Sequence, residues 1–233
     1  MKMTIVVPCY NEAENIPLIL NRFSETIGDR NIHVIVINNG STDNTPEILP
    51  ELISKYDFAE TILVPVNKGY GFGIVQGLRV ATGDYIGWTH ADMQTDPKDI
   101  ANAYDLITKC KYKNVFIKGK RYGRPLFDTF FTNGMSLFES ILFHKVLYDV
   151  NAQPNIFPRG ALKLLKKPPM DFSLDLYIYY ILKKYNVRMI RFPVLFGERI
   201  YGSSKWNTDG IKSKIKFIKR TVSYSFELKR KIG

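Results

Sequence analysis

The sequence predicts an α/β fold, a mostly parallel sheet with helices on both faces. Three observations carry that prediction. Short β-branched or apolar runs alternate with longer segments of helical period. The connections are short, and in such an alternation successive strands lie parallel. A polar cluster follows each of the first four strand runs, at the carboxyl ends where open α/β sheets bind ligands.

Residues 3–7 form the first strand, central by its β-branched composition. It breaks at Pro8-Cys9-Tyr10-Asn11-Glu12, and Ile16, Ile19, Leu20, Phe23 and Ile27 give residues 14–27 a helical period. Residues 32–37 are the second strand, ended by Asn38-Asn39-Gly40-Ser41-Thr42-Asp43. Asn44 or Thr45 caps a helix through Ile48, Leu49, Leu52 and Ile53. Residues 61–66 are the third strand, and Asn67-Lys68-Gly69-Tyr70-Gly71-Phe72-Gly73 turns into a helix ending near Gly83. Residues 85–88 read as a buried fourth strand, and Pro97 opens a fourth helix reaching Thr108.

After Val115-Phe116-Ile117 the character changes. Residues 119–124 are basic and contain glycine, and residues 126–148 carry Phe127, Phe130, Phe131, Phe138 and Phe143 with few charges. Residues 160–165 and 173–185 read as helices, residues 187–196 as a strand, and the chain from Asp209 onward as a basic helix. One domain is therefore expected over 1–206, divided near residue 118, with 207–233 as an appended amphipathic helix.

A chain of 233 residues, 45% hydrophobic and 24% charged, buries one core and is not disordered. No apolar run approaches the roughly 20 residues that span a bilayer, so a cytoplasmic chain is expected. Cys9 and Cys110 are too few for a disulfide framework or a zinc site. The net charge of +11 collects in residues 109–124 and 205–231 and calls for an anionic partner. Nucleic acid has only the charge in its favour, because no recognition module accompanies it.

Each polar cluster has a chemical and a structural reading. His90, Asp92 and Gln94 alternate along an extended segment and so share one side of it. They offer an imidazole, a carboxylate and an amide carbonyl to a divalent metal, or they cap an ordinary strand-to-helix loop. Gly69, Gly71 and Gly73 hold backbone close to a ligand or make a tight turn into a packed helix. Asn38 and Asn39 bond a nucleobase edge or form an Asx turn. Arg199 and Lys205 clamp phosphate or are solvated surface cations. The basic tail lies on an anionic membrane or packs one face on its own domain.

Together these fragments resemble the family 2 glycosyltransferases of the Rossmann-like GT-A fold, and within them the dolichol- and polyprenyl-phosphate sugar synthases. The fragments occur in the family's order. They are Val7-Pro8-Cys9-Tyr10-Asn11-Glu12, Asn39-Gly40-Ser41-Thr42-Asp43, Asn67-Lys68-Gly69, Gly83-Asp84-Tyr85-Ile86, Ala91-Asp92-Met93-Gln94 with Pro97, then Arg199 and Gly202-Ser203-Ser204-Lys205-Trp206.

The resemblance implies a nucleotide-sugar donor over residues 1–118, bound by Pro8, Tyr10, Glu12, Asn39, Lys68, Gly69, Ala91 and Asp92. It implies Mn²⁺ or Mg²⁺ on the donor diphosphate, held by Asp92, Gln94 and His90. It places an acceptor side over 119–206, with Arg121, Arg124, Arg199, Ser204 and Lys205 facing phosphate. The catalytic set is then Asp92, Arg199 and Lys205, with Asp175 on the 173–185 helix as the candidate base that a hydroxyl acceptor would need.

Two departures stand out. Asn38 and Asn39 replace the two acidic residues usual before Gly40, which leaves the donor base open. His90 replaces the first aspartate of Asp-x-Asp, and imidazole suits Mn²⁺ better than Mg²⁺. The expected function is inverting transfer of a sugar to a polyprenyl phosphate, peripherally at the inner membrane face. There the 127–148 aromatics and the basic tail meet the bilayer. Transfer to a glycan hydroxyl, and a nucleotide-sugar-binding protein that has lost catalysis, are the alternatives.

Overall fold

The computed structural model describes residues 1–202 and 210–232. Its strands are β1 (Met3–Cys9), β2 (Ile32–Asn39), β3 (Ala59–Val64), β4 (Tyr85–Trp88), β5 (Val115–Tyr122), β6 (Asn155–Pro158) and β7 (Arg188–Leu195). The helices are α1 (Asn15–Ile27), α2 (Thr45–Ile53), α3 (Tyr70–Val80), α4 (Lys98–Lys109), α5 (Leu126–Phe143), α6 (Leu174–Lys184) and α7 (Gly210–Ile232), with a 3-10 helix at Arg159–Leu164. The seven strands form one sheet in the order β3-β2-β1-β4-β6-β5-β7. Only β6 runs against its neighbours, so the sheet is mostly parallel, as the alternation predicts.

The central strands are apolar on both faces because both faces are covered. In β1, Val6 packs with Ile74, Val75 and Leu78 of α3, in a core that also takes up α6. Its neighbours Ile5 and Val7 point the other way, into a core with Ile16, Leu20 and Phe23 of α1 and Ile100 and Ala103 of α4. This two-sided packing aligns the carboxyl ends of β1, β2 and β4 along one edge of the sheet.

Several boundaries differ from expectation. The third strand is Ala59–Val64, not 61–66, because pairing with β2 begins at Ala59 opposite Val34. Helix α3 stops at Val80 rather than near Gly83, since Ala81 turns extended and the Gly83 N–H bonds Thr4 Oγ1 at 3.0 Å. Neither Asn44 nor Thr45 caps α2 with its side chain; Asp43 Oδ1 accepts the Thr45 N–H at 3.0 Å instead. The helix expected at 160–165 is a 3-10 helix at Arg159–Leu164, and β6 has no counterpart in the sequence reading.

The basic tail is helical, and its later part packs on the protein. Ser225 and Leu228 are buried, and Phe226 meets Phe138 of α5 edge-on, with ring centres 5.9 Å apart.

Candidate active site

The loop after β4 is built to hold Asp92 still. The Thr89 N–H bonds the Val6 carbonyl at 3.1 Å and the Thr89 and Thr95 hydroxyls meet at 3.2 Å. Met93 is left-handed, and Asp92 Oδ1 accepts the Gln94 N–H at 3.1 Å, an Asx turn that closes the loop. Gln94 then ties this loop to the segment after β7. Its carbonyl accepts the Gly197 N–H at 2.9 Å and its side-chain Nε2 donates to the Gly197 carbonyl at 3.3 Å.

That tie delivers Arg199. Its Nη2 lies 2.7 Å from Asp92 Oδ2 and its Nη1 lies 3.6 Å from Glu12 Oε1. Asn15 Nδ2 donates to the other Glu12 oxygen, Oε2, at 2.6 Å. Burial raises the Glu12 carboxyl above its ordinary range, against the opposing pull of Asn15 and Arg199. Among the described residues, Arg199 Nε and Asn15 Oδ1 are buried without partners. The ends of β1, β4 and β7 thus converge on two carboxylates and a guanidinium with unspent hydrogen-bonding capacity.

His90 lies between this cluster and the basic strand β5. Burial lowers its proton affinity, and Arg121, Arg199 and Lys118 lower it further against the pull of Asp92. The imidazole is held neutral, the form that ligates metals. Among the described residues no three His, Cys, Asp or Glu side chains cluster as a metal site.

The end of β2 forms a second wall. Asn39 Nδ2 donates to the Gly69 carbonyl at 3.0 Å, and its Oδ1 is buried without a partner among the described residues. Asn38 Oδ1 accepts the Ser41 N–H at 3.0 Å, the Asx turn. Gly69 has φ +115°, and a Cβ there would lie 2.3 Å from the Met170 carbonyl oxygen. Only glycine fits that approach. Lys68 is exposed, its Nζ 5.4 Å from the Phe72 ring centre, while Ala91 is buried and Pro8 lies within β1. Tyr10 and Asn11 follow β1, and Asn11 Oδ1 accepts the Thr42 N–H at 2.8 Å, joining the β1 and β2 ends.

The cations expected to face phosphate, Arg121 and Arg124, are not free. Arg121 donates from Nε to Asp149 Oδ1 at 2.9 Å, and its backbone N–H to Asp149 Oδ2 at 2.9 Å. Burial alone would raise the Asp149 carboxyl, but Arg121 overcomes it and holds it below the ordinary range. Arg124 donates to Thr132 Oγ1 at 2.8 Å, and both guanidiniums stand over the Phe196 ring at 5.1 and 5.7 Å. Asp175 sits in the first turn of α6, buried, and its Oδ1 accepts from Gln153 Nε2 at 2.9 Å and Asn155 Nδ2 at 3.0 Å. Ser204 and Lys205 lie outside the described residues.

The structure therefore brings Glu12, Asp92 and Arg199 into one cluster, with Gln94 tying their loops together. Asn39 and Gly69 form a neighbouring wall, and Arg121, Arg124 and Asp175 stand on the β5 side. Sequence reasoning missed Asn15, Lys118 and Asn155. Lys118 had a visible signal, a cation directly after an apolar strand run; the two asparagines had none.

The family model for glycosyl transferase family 2 matches residues 4–174. The chain belongs to that family. The match spans β1 through β6 and the turn into α6, so it includes Glu12, Asn39 and Asp92; Asp175 and Arg199 lie beyond it.

Two curated relatives extend the family 2 assignment. A dolichol-phosphate mannosyltransferase of Pyrococcus furiosus is 26% identical over 99% of this chain and 66% of its own length. An undecaprenyl-phosphate 4-deoxy-4-formamido-L-arabinose transferase of Klebsiella pneumoniae is 25% identical over 88% of this chain and 63% of its own. The chain thus spans just under two thirds of the length of each. Among solved structures, a mannosyltransferase of Pyrobaculum calidifontis in complex with GDP-Man and Mn²⁺ shares the fold with a TM-score of 0.70. It is 21% identical, over 100% of this chain and 65% of that one. A glucosyl-3-phosphoglycerate synthase of Mycobacterium tuberculosis in complex with UDP and Mn²⁺ gives 0.68 at 16% identity, over 91% and 76%.

Proposed function

We propose that this family 2 chain transfers one sugar, with inversion, from a nucleoside-diphosphate sugar to a polyprenyl phosphate. The observation that carries the donor half is Arg199 set against Asp92 and Glu12 where β1, β4 and β7 end. Breaking a glycosyl-phosphate bond builds negative charge on the departing diphosphate, and a guanidinium turned from Asp92 toward it stabilises that charge where it develops. Asn39 Oδ1, an unspent acceptor on the adjoining wall, supports a nucleobase that offers it an N–H.

The donor set at the β4 end suits a divalent cation, and one that accepts nitrogen as well as oxygen. Asp92 would supply a carboxylate, the neutral His90 an imidazole, and Gln94 an amide oxygen; this mixture favours Mn²⁺ over Mg²⁺. When bound, such an ion neutralises charge on the diphosphate. Arg199 now occupies Asp92 Oδ2, so it would have to turn toward the diphosphate. The mannosyltransferase and the synthase that share this fold were both solved with Mn²⁺.

The acceptor half rests on the polyprenyl phosphates named for both curated relatives and on helix α5. Leu126, Phe130, Leu137 and Ile141 recur at intervals of four and seven along one face, 88%, 79%, 64% and 65% exposed. Among the described residues no helix is long and apolar enough to cross a membrane. An apolar stripe beginning two residues after Arg124, in a strongly basic chain, fits a helix lying in an anionic membrane surface. That would put the chain peripherally at the inner, cytoplasmic face, with Arg121 and Arg124 next to the lipid phosphates.

A second reading, transfer to a glycan hydroxyl, is favoured by one observation. Burial pushes the Asp175 carboxyl up to about 6, against Lys118, Gln153 and Arg121, within the range useful to a general base near neutral pH. Incubating the protein with radiolabelled nucleotide sugars, Mn²⁺ and either polyprenyl phosphate or soluble glycans separates the two. Label in the organic phase supports the lipid acceptor; label only in soluble glycan overturns it.

A further inference from the structure

Lys118 is 0% exposed, in the interior of the sheet, and neither reading of the acceptor gives it a task. It follows the apolar run Val115–Ile117 on β5 and shares a face with Phe116, whose ring meets Tyr179 of α6 at 5.9 Å. Lys118 Nζ stands 5.4 Å from the same Tyr179 ring and donates to the Ala152 carbonyl at 2.8 Å and to Asn155 Oδ1 at 2.6 Å. Gly119 makes this possible. A Cβ there would lie 2.0 Å from the Gln153 carbonyl oxygen, so only glycine lets the 152–155 segment settle onto β5.

An ammonium has donors and no acceptor, so Asn155 must turn its oxygen to Lys118. That leaves Asn155 Nδ2 to donate to Asp175 Oδ1 at 3.0 Å and to Gln153 Oε1 at 2.8 Å. Gln153, accepting through its oxygen, must aim Nε2 at Asp175 Oδ1, 2.9 Å away, and at the Tyr70 hydroxyl, 3.2 Å away. One cation thus dictates the orientation of two amides. Had either amide turned over, an oxygen would face the Asp175 carboxylate.

We propose that Lys118 is a positioning residue of the transfer site, which aligns the Asn155 and Gln153 amides so that both donate to Asp175 Oδ1 beside the Tyr70 hydroxyl. The proposal rests on the reading of this pocket as a glycosyl-transfer centre. Burial pushes Lys118 down to about 7 and Asp175 up to about 6, and each opposes the other's shift, as expected of a buried pair that keeps its charges only together. Arg191, Arg121 and Asp149 also act on Lys118. Arg121 acts on Asp175, and Tyr70 faces it from α3.

The test is a cycle of Lys118→Met, Asp175→Asn and the double variant, melted from pH 5 to pH 8. In K118M the unpaired buried Asp175 takes up a proton, so the loss of Tm against wild type grows as pH rises. In D175N the unpaired lysine gives up its proton, so the loss shrinks as pH rises. The double variant buries no charge, shows neither slope, and recovers folding that K118M alone loses. Parallel melting curves in all four proteins overturn the proposal.

In the transfer assay, K118M moves the acidic limb of kcat/KM upward by about one pH unit or more with donor KM unchanged. An unmoved limb overturns the positioning role and leaves glycosyl transfer standing. No transfer by the wild type to either acceptor overturns the reading itself, and the melting curves then report the Lys118–Asp175 pair separately.

Discussion

Arg199 Nη2 and Asp92 Oδ2 lie 2.7 Å apart, although one follows β7 and the other follows β4. Glu12 at the end of β1 shares the same guanidinium at 3.6 Å. The arginine therefore reports on the donor site as a whole. Arg199→Met is expected to lower kcat/KM for sugar transfer by about a hundredfold or more, through loss of charge stabilisation on the leaving diphosphate. Arg199→Lys should restore only part of this, because a point charge does not reproduce the fork. Initial rates with labelled donor check both; an equally active R199M sets the arginine outside the reaction.

His90 is where this chain parts from the Asp-x-Asp pattern. His90→Asp replaces a neutral imidazole beside Asp92 with a hard carboxylate. The ratio of Mg²⁺- to Mn²⁺-supported rates is expected to rise on the order of tenfold. Asp92→Asn should abolish the thermal shift that Mn²⁺ adds to nucleotide binding. A metal response unchanged in both variants would remove the β4 loop from metal binding.

Asn39 tests the wall beneath the donor base. Its Nδ2 donates to the Gly69 carbonyl, so Asn39→Asp sets a carboxylate oxygen against a carbonyl oxygen. A loss of about 1–3 kcal/mol is expected in denaturant unfolding. Gly69→Ala should cost more than about 2 kcal/mol, since it combines φ +115° with a Cβ 2.3 Å from the Met170 carbonyl oxygen. Unfolding midpoints matching wild type would show that this wall can relax.

Glu139 of α5 gives a pH test remote from the donor site. It is 2% exposed, and burial pushes its carboxyl up to about 8. The folded state binds its proton more tightly than the unfolded chain, whose glutamates release theirs near pH 4–5. Stability is therefore full at low pH and declines as pH rises from there through about 8. Glu139→Gln removes the decline, so it should be stabilising at pH 8 by on the order of 2–4 kcal/mol and neutral near pH 4.5. A constant difference between the two proteins across that range would refute the assignment.

Much of the β1–β4 half was legible because the signals are local. The run at residues 3–7 is apolar on both sides, which only a strand covered on both faces tolerates. Asp92 stood out because a loop between a buried strand and a proline-started helix needs few polar residues, and this one has several. The β5–β7 half was less legible. Strand β6 is four residues long and ends in proline, without an alternation to mark it. Arg121 and Arg124 read as free cations, whereas Asp149 and Thr132 take them up through pairings made only when the chain folds. Asp175, expected as a base, has Oδ1 engaged by Gln153 and Asn155, which a helical period cannot reveal.

By itself the sequence determined the α/β alternation, the polar clusters at the strand ends, and the family. Those follow from hydrophobic period and turn chemistry, which act over a few residues. Tertiary structure alone decided which charges meet: Arg199 with Asp92 and Glu12, Arg121 with Asp149, and Lys118 with the amides beneath Asp175. A side chain's partner, proton affinity and orientation depend on burial and on groups distant in the chain, and these exist only once the sheet has assembled.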